Sequence, residues 1–129
     1  MSTTGLITEV LARHPDIALA VLFGSLAAGT ARLDSDLDLA VAASTPLTSE
    51  ARMALIADLA LHIGRPLDLI DLACVGEPLL GQILAHGRRV LGSDERHAQL
   101  LRRHLFDNAD FAPYRNRILA ERRQAWIGR

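Results

Sequence analysis

The chain has 129 residues, half of them hydrophobic and 22% charged, with a formal net charge of −1 and one cysteine. That length suits a single domain with its own core, and the near-balanced charge excludes a disordered tail or a strongly basic nucleic-acid binder. A lone Cys74 in the apolar setting LACVGE excludes an internal disulfide and predicts a small buried residue kept in a reducing compartment. Leu6, Ile7, Val10 and Leu11 recur at helical spacing until His14-Pro15-Asp16 interrupts them, which predicts a first helix over 3–13. IALAVLF, residues 17–23, is a continuous apolar run closed by Gly24, the pattern of a strand covered on both faces. DLDLAVA, residues 36–42, alternates acids and small residues against Leu37, Leu39 and Val41, and so predicts a second strand. Thr48-Ser49-Glu50 caps a helix that runs to His62, with Met53, Ile56, Leu59, Ala60 and Ile63 expected on its inner face and Gly64 and Pro66 ending it. PLDLIDL, residues 66–72, reads as a third strand, residues 77–86 as a helix stopped by Gly87, and RRVL as a short edge strand. Ser93-Asp94-Glu95 opens a helical C-terminal region that Pro113 interrupts. Alternating patterns of this kind define an α/β class: a small mixed sheet flanked by helices, with residues 1–93 as a core and 94–129 as a helical extension.

The stretch LFGSLAAGTARLDSDLDLAV sets a Gly-Ser pair ten residues ahead of an Asp-x-Asp. Gly24-x-x-x-x-Gly29 followed by Thr30 lacks the lysine of a P-loop, and the whole chain has no lysine; a nucleophile elbow, G-x-S-x-G, is also absent. A Gly24-Ser25 turn that opens a short helix over 25–28 aims backbone N–H groups and a hydroxyl at one point, where the helix dipole favours the phosphates of a nucleotide. On the next strand Asp36 and Asp38 leave the same face about 7 Å apart at Cα. Two hard oxygen ligands at that separation suit a pair of Mg²⁺ ions, with Mn²⁺ as a substitute, in the arrangement used for displacement at phosphorus. Such ions would also compensate two like charges on one strand. For a third carboxylate the candidates are Asp68 and Asp71, on opposite faces of LDLIDL. Asp68, among apolar neighbours, fits an acid held inside a sheet and is preferred. The bland alternative for Asp34-Ser35-Asp36 is a surface Asx turn, a reading that suits Asp34 and not Asp38 between Leu37 and Leu39.

These residues, GSLAAGTARLDSDLDL with the flanking strands and the third acid, resemble the minimal nucleotidyltransferases of the DNA polymerase β-like superfamily, and most of all the MntA-type antitoxins that accompany HEPN toxins. The resemblance covers residues 17–72, the rest matching only in length and helical character. It implies that Gly24 and Ser25 grip the β- and γ-phosphates of ATP as substrate, that Asp36 and Asp38 bind two metal ions, and that Asp68 binds the one activating the attacking hydroxyl. It also implies AMP transfer from ATP to a tyrosine of a cognate HEPN toxin, with which the chain would form a hetero-oligomer. The sequence departs from the family at Ala28, where arginine is usual. Arg32, in the loop before the acids, is the candidate substitute for holding the triphosphate.

His97 and His104 lie seven apart with no third ligand evident, and no histidine follows an arginine at the spacing of the HEPN nuclease motif, Arg96 to His104 having seven residues between. Residues 94–129 carry eight arginines against five acids and read as a solvated face or a docking surface for another protein. Sparse aromatics argue against direct nucleic-acid binding. MSTTGLITEV has no basic n-region or signal-type apolar run, and no apolar stretch reaches a membrane span, so the expectation is a cytoplasmic protein without membrane contact. Two alternatives stay open: a small-molecule nucleotidyltransferase whose acceptor site forms at a homodimer interface, and a non-catalytic antitoxin that neutralises its partner by occlusion.

Overall fold

Four strands form one mixed sheet in the computed structural model, which describes residues 2–24 and 36–107. In chain order the elements are α1 (Thr3–Leu11), β1 (Ile17–Phe23), β2 (Leu37–Ala43), α2 (Ser49–Ile63), β3 (Leu67–Asp71), α3 (Leu79–His86) and β4 (Arg88–Leu91), and residues 94–107 are helical. The sheet order is β3-β2-β1-β4, with β1 antiparallel to both neighbours and β2 parallel to β3. A parallel pair needs a crossover of a dozen or more residues, and α2 supplies it.

β1 lies inside the sheet and is covered on both faces, as its unbroken apolar run demands. Ala20 and Leu22 face α1 and α2, packing with Ile7, Val10, Leu11, Leu55 and Leu59, while Leu19 and Val21 face α3 and the helical residues 94–107 through Leu80, Ile83 and Leu100. Each such fully buried aliphatic side chain contributes about 1.5–3 kcal/mol. The helices begin where capping side chains allow. Ser2 Oγ accepts from the Gly5 N–H at 3.1 Å, Thr48 Oγ1 from that of Ala51 at 3.0 Å, and Ser93 Oγ from that of Arg96 at 3.2 Å. Gly64 ends α2 at φ +74°, the left-handed conformation of a helix C-cap.

Several expectations are corrected. Met53 is 70% exposed, and the buried stripe of α2 is Leu55 and Leu59 with Ile56 and Ile63 beside it. Leu55 and Leu59, one turn apart, fix the inner direction, and Met53 lies on the far side of that axis. Cys74 is exposed, because β3 has already ended and the chain turns there, the Cys74 N–H donating to the Asp71 carbonyl at 3.0 Å. α3 starts at Leu79, with Pro78 at its N-cap position; Glu77 Oε2 accepts from the Gly81 N–H at 3.2 Å in place of a cap side chain. The Glu77 carboxylate also meets His104 Nδ1, so His104 is a partly buried tie between α3 and the last helix. The short helix expected over 25–28, Asp34 and Pro113 lie outside the described residues.

On the outer edge of the sheet, Arg52 reaches from α2 to donate through Nη2 to the Leu69 carbonyl of β3 at 2.6 Å. Asp58 in turn joins α2 to the end of α1: Arg13 Nη1 lies 3.2 Å from its Oδ1 and His14 Nε2 2.8 Å from its Oδ2, with His62 Nδ1 3.0 Å from Oδ1. Among the described residues no helix is long and apolar enough to cross a membrane.

Candidate active site at one end of the sheet

The register of three strands gathers the acids. Asp38 is the cross-strand partner of Phe23, the last residue of β1, and the parallel partner of Asp68 at the start of β3. Adjacent partners present their side chains on the same sheet face. For Asp38 and Asp68 that is the face of Ala40 and Ile70, which is covered further along by α3 and residues 94–107. Asp36 sits immediately before β2, two residues from Asp38 and therefore on its side. The other candidate, Asp71, is at the far end of β3 on the opposite face, where its Oδ1 accepts from the Ala73 N–H at 2.9 Å and closes a turn. The structure thus brings Asp36, Asp38 and Asp68 together and leaves Asp71 apart.

Asp38 is half-buried while Asp36 and Asp68 are exposed. The expectation that Asp68 is enclosed by the sheet is corrected, since β3 is the outermost strand and its first residues meet solvent. Burial, followed by repulsion from Asp68 and then from Asp36, holds the Asp38 carboxyl above its ordinary range. Among the described residues no three His, Cys, Asp or Glu side chains are already drawn into a metal cage. Among the described residues the three carboxylates have no counter-charge and repel, and two of them are exposed.

Gly24 follows β1 directly at φ +74°. A Cβ built there would overlap Asp38 Oδ2 and come within 3.1 Å of its Cγ, so the backbone of the glycine lies directly against the carboxylate. Only a residue without a side chain allows that approach. The sequence pairs Gly24 with Ser25, but the contact between Gly24 and Asp38 depends on strand register and was not readable there. Phe23 was also missed as a neighbour of Asp38, its only signal being its place at the end of an apolar run. Ser25 and Arg32 lie outside the described residues.

A donor set made only of carboxylate oxygens, crowded enough to raise one acid, fits a hard divalent cation such as Mg²⁺. An acidic cluster at one end of a small mixed sheet, beside a glycine in left-handed backbone, is the arrangement of α/β domains suited to metal-assisted chemistry at phosphorus. The family model for polymerase β-type nucleotidyltransferases matches residues 6–96, and the chain belongs to that family. It is 35% identical over 81 residues to the protein adenylyltransferase MntA of Shewanella oneidensis, a match that covers 63% of this chain and 58% of MntA. Among solved structures it resembles a chain of a toxin–antitoxin crystal structure with AMP-PNP, at a TM-score of 0.72 and 26% identity over 90% of this chain and 98% of that one. A structure of a tri-AMPylated Shewanella oneidensis HEPN toxin in complex with its MNT antitoxin matches at a TM-score of 0.62 and 28% identity, covering 98% of this chain and 93% of the other.

Proposed function

We propose that the protein is an antitoxin adenylyltransferase of the cytoplasm that transfers AMP from ATP to a tyrosine hydroxyl of a cognate HEPN toxin. The observation that carries this reading is the parallel register of Asp38 with Asp68, which sets two strands' acids beside each other, with Asp38 against the bare backbone of Gly24. The relatives add the chemistry: MntA is a protein adenylyltransferase, and a structural relative is an antitoxin bound to a toxin that carries AMP groups.

In the proposed reaction the tyrosine oxygen forms a bond to the α-phosphorus of ATP, the bond from that phosphorus to the bridging oxygen breaks, and pyrophosphate leaves. Asp36, Asp38 and Asp68 would hold two Mg²⁺ ions, which neutralise the triphosphate and lower the pKa of the attacking hydroxyl. The part of the chain itself is positioning. Two sheet strands fix the backbones of Asp38 and Asp68, which limits the reorganisation needed there when charge develops. Gly24, Ser25 and Arg32 are assigned to grip the phosphates on the grounds of sequence. Residues 1–93 act as the catalytic unit, and 94–129 are assigned to partner docking. Leu101, Leu105 and Phe106 support that assignment, being 41%, 59% and 61% exposed on the helical stretch 94–107.

Incubation with α-labelled ATP, Mg²⁺ and the purified toxin tests the reading. Label should appear on the toxin and vanish when its acceptor tyrosine is replaced by Phe, and Asp38→Asn should lower the rate by at least about a hundredfold. Label on a small molecule with none on the toxin would replace this reading by that of a small-molecule transferase. Toxin neutralised without any label would replace it by occlusion.

A further inference from the structure

A cleft lies at the other end of the sheet from the acids. Leu19 and Ala42, cross-strand partners on β1 and β2, form the floor of an open cleft of about 170 Å³ with Leu72 and Leu100. Ala42 is four residues along β2 from Asp38, about 13 Å away at the usual strand rise. One face of the helical stretch 94–107 forms the wall, with Arg96, Gln99 and Arg103 at the i, i+3 and i+7 positions. Among the described residues no acidic side chain lines the cleft. Its lining therefore carries two positive charges on a chain whose net charge is −1.

The two guanidinium groups differ in what they already do. Arg103 Nη2 donates to the Val75 carbonyl at 3.2 Å, which anchors it at the rim and leaves its other donors available. The Arg96 side chain has no hydrogen-bond or ion-pair partner among the described residues. Arg103 thus has a structural role at the rim, while the Arg96 guanidinium, unpaired among the described residues, is available to a ligand. Size and chemistry narrow the ligand. An apolar cavity of about 150 Å³ is large enough to take benzene, so this cleft accepts one ring or a branched alkyl group. The arginines select a planar anion, for which the guanidinium fork provides paired donors.

We propose that this cleft binds a small monocarboxylate bearing a single aryl or branched alkyl group, with the apolar part over Ala42, Ala73 and the edge of Leu100 and the carboxylate on Arg96 and Arg103. The site is separate from the acid cluster, and the proposal does not rest on the transfer reaction. Phenylacetate is a direct probe, titrated into the full-length ¹⁵N-labelled protein and followed by amide shifts. Saturable shifts are expected at Ala42, Leu72, Ala73, Gln99 and Leu100, with a dissociation constant on the order of 1 mM for a ligand of this size.

Phenylacetamide, which keeps the ring and loses the charge, should bind about tenfold more weakly, as should phenylacetate to Arg96→Gln. Acetate, which keeps the charge and loses the ring, should also bind more weakly by about tenfold or more. Arg103→Gln is a second variant, checked for unchanged melting because its side chain also holds Val75. Absence of saturation up to about 20 mM, twentyfold above the expected constant, would overturn the proposal. So would equal binding of phenylacetamide or acetate, or shifts centred on Asp36, Asp38 and Asp68 instead of the cleft.

Discussion

Gly24→Ala is the substitution that most directly probes the acid site, and the fold contains its own control. Gly24 and Gly64 share a φ of +74°, yet a Cβ at Gly64 meets nothing within 4 Å whereas one at Gly24 runs into the Asp38 carboxylate. Left-handed backbone costs an L-residue about 1–2 kcal/mol, partly offset by the stiffer unfolded chain, so Gly64→Ala should lose about 1 kcal/mol. Gly24→Ala should lose that amount plus about 1–3 kcal/mol for overpacking, or about 2–4 kcal/mol in all. At about 4 °C per kcal/mol for a domain of this size, melting should fall by about 4 °C in the first variant and about 8–16 °C in the second. In Gly24→Ala/Asp38→Ala the carboxylate is gone, and the excess over Gly64→Ala should largely vanish, giving a coupling of about 1–3 kcal/mol in the cycle. Displacing Asp38 by about 1 Å should also cut AMP transfer about a hundredfold. Thermal and urea unfolding with the labelled-ATP assay read both effects. Equal losses of stability in the two single variants would refute the claim that Gly24 is glycine because of Asp38.

Asp38 has a raised pKa, so without metal the folded state binds a proton there more tightly than the unfolded chain, and stability should fall as pH rises above 3.8 through the folded value. Asp38→Asn should remove that loss and raise the melting temperature of the metal-free protein at neutral pH, by less than about 1 kcal/mol given solvent screening. Asp58 has the opposite sign: its hydrogen bond with His14, then the charges of Arg13, His62 and His14, hold it below its ordinary range of 3.8 despite some desolvation. The stability it confers is present above pH 3.8 and is lost as pH falls through the lower folded value, so Asp58→Asn should flatten the acid side of the stability profile. Mg²⁺ with ATP should raise the melting temperature, by about 2.7 kcal/mol of stabilisation at a hundred times the dissociation constant, and the shift should disappear in Asp36→Asn/Asp38→Asn. Glu77→Ala removes both the bond to the Gly81 N–H and the contact with His104 and should cost about 1–3 kcal/mol, with faster amide exchange in residues 94–107 than in β1.

The strands were legible because each is a short run with one unambiguous pattern: IALAVLF can only be covered on both faces, and DLDLAVA can only alternate. α2 was legible as a helix but not in its rotation. Met53 and Leu55 are equally apolar candidates, and packing against β2 and β3 decides which points inward. Cys74 misled for a related reason: apolar neighbours in sequence say nothing about a turn that projects a side chain outward. At the site, the Asp-x-Asp spacing located Asp36 and Asp38 on one face, and alternation separated Asp68 from Asp71. That Asp68 stands beside Asp38 is a matter of register across a parallel pair, set by the length of α2 and its connections, which no local pattern encodes. The contact of Gly24 with Asp38 depends on the same kind of long-range alignment.

The guanidinium of Arg52, fastened to the outward carbonyl of Leu69, occupies a backbone group that another chain would need in order to add itself as a fifth strand. On the opposite margin β4 is four residues long and opens with Arg88 and Arg89. Short length and fixed positive charge thus guard both borders against stepwise polymerisation.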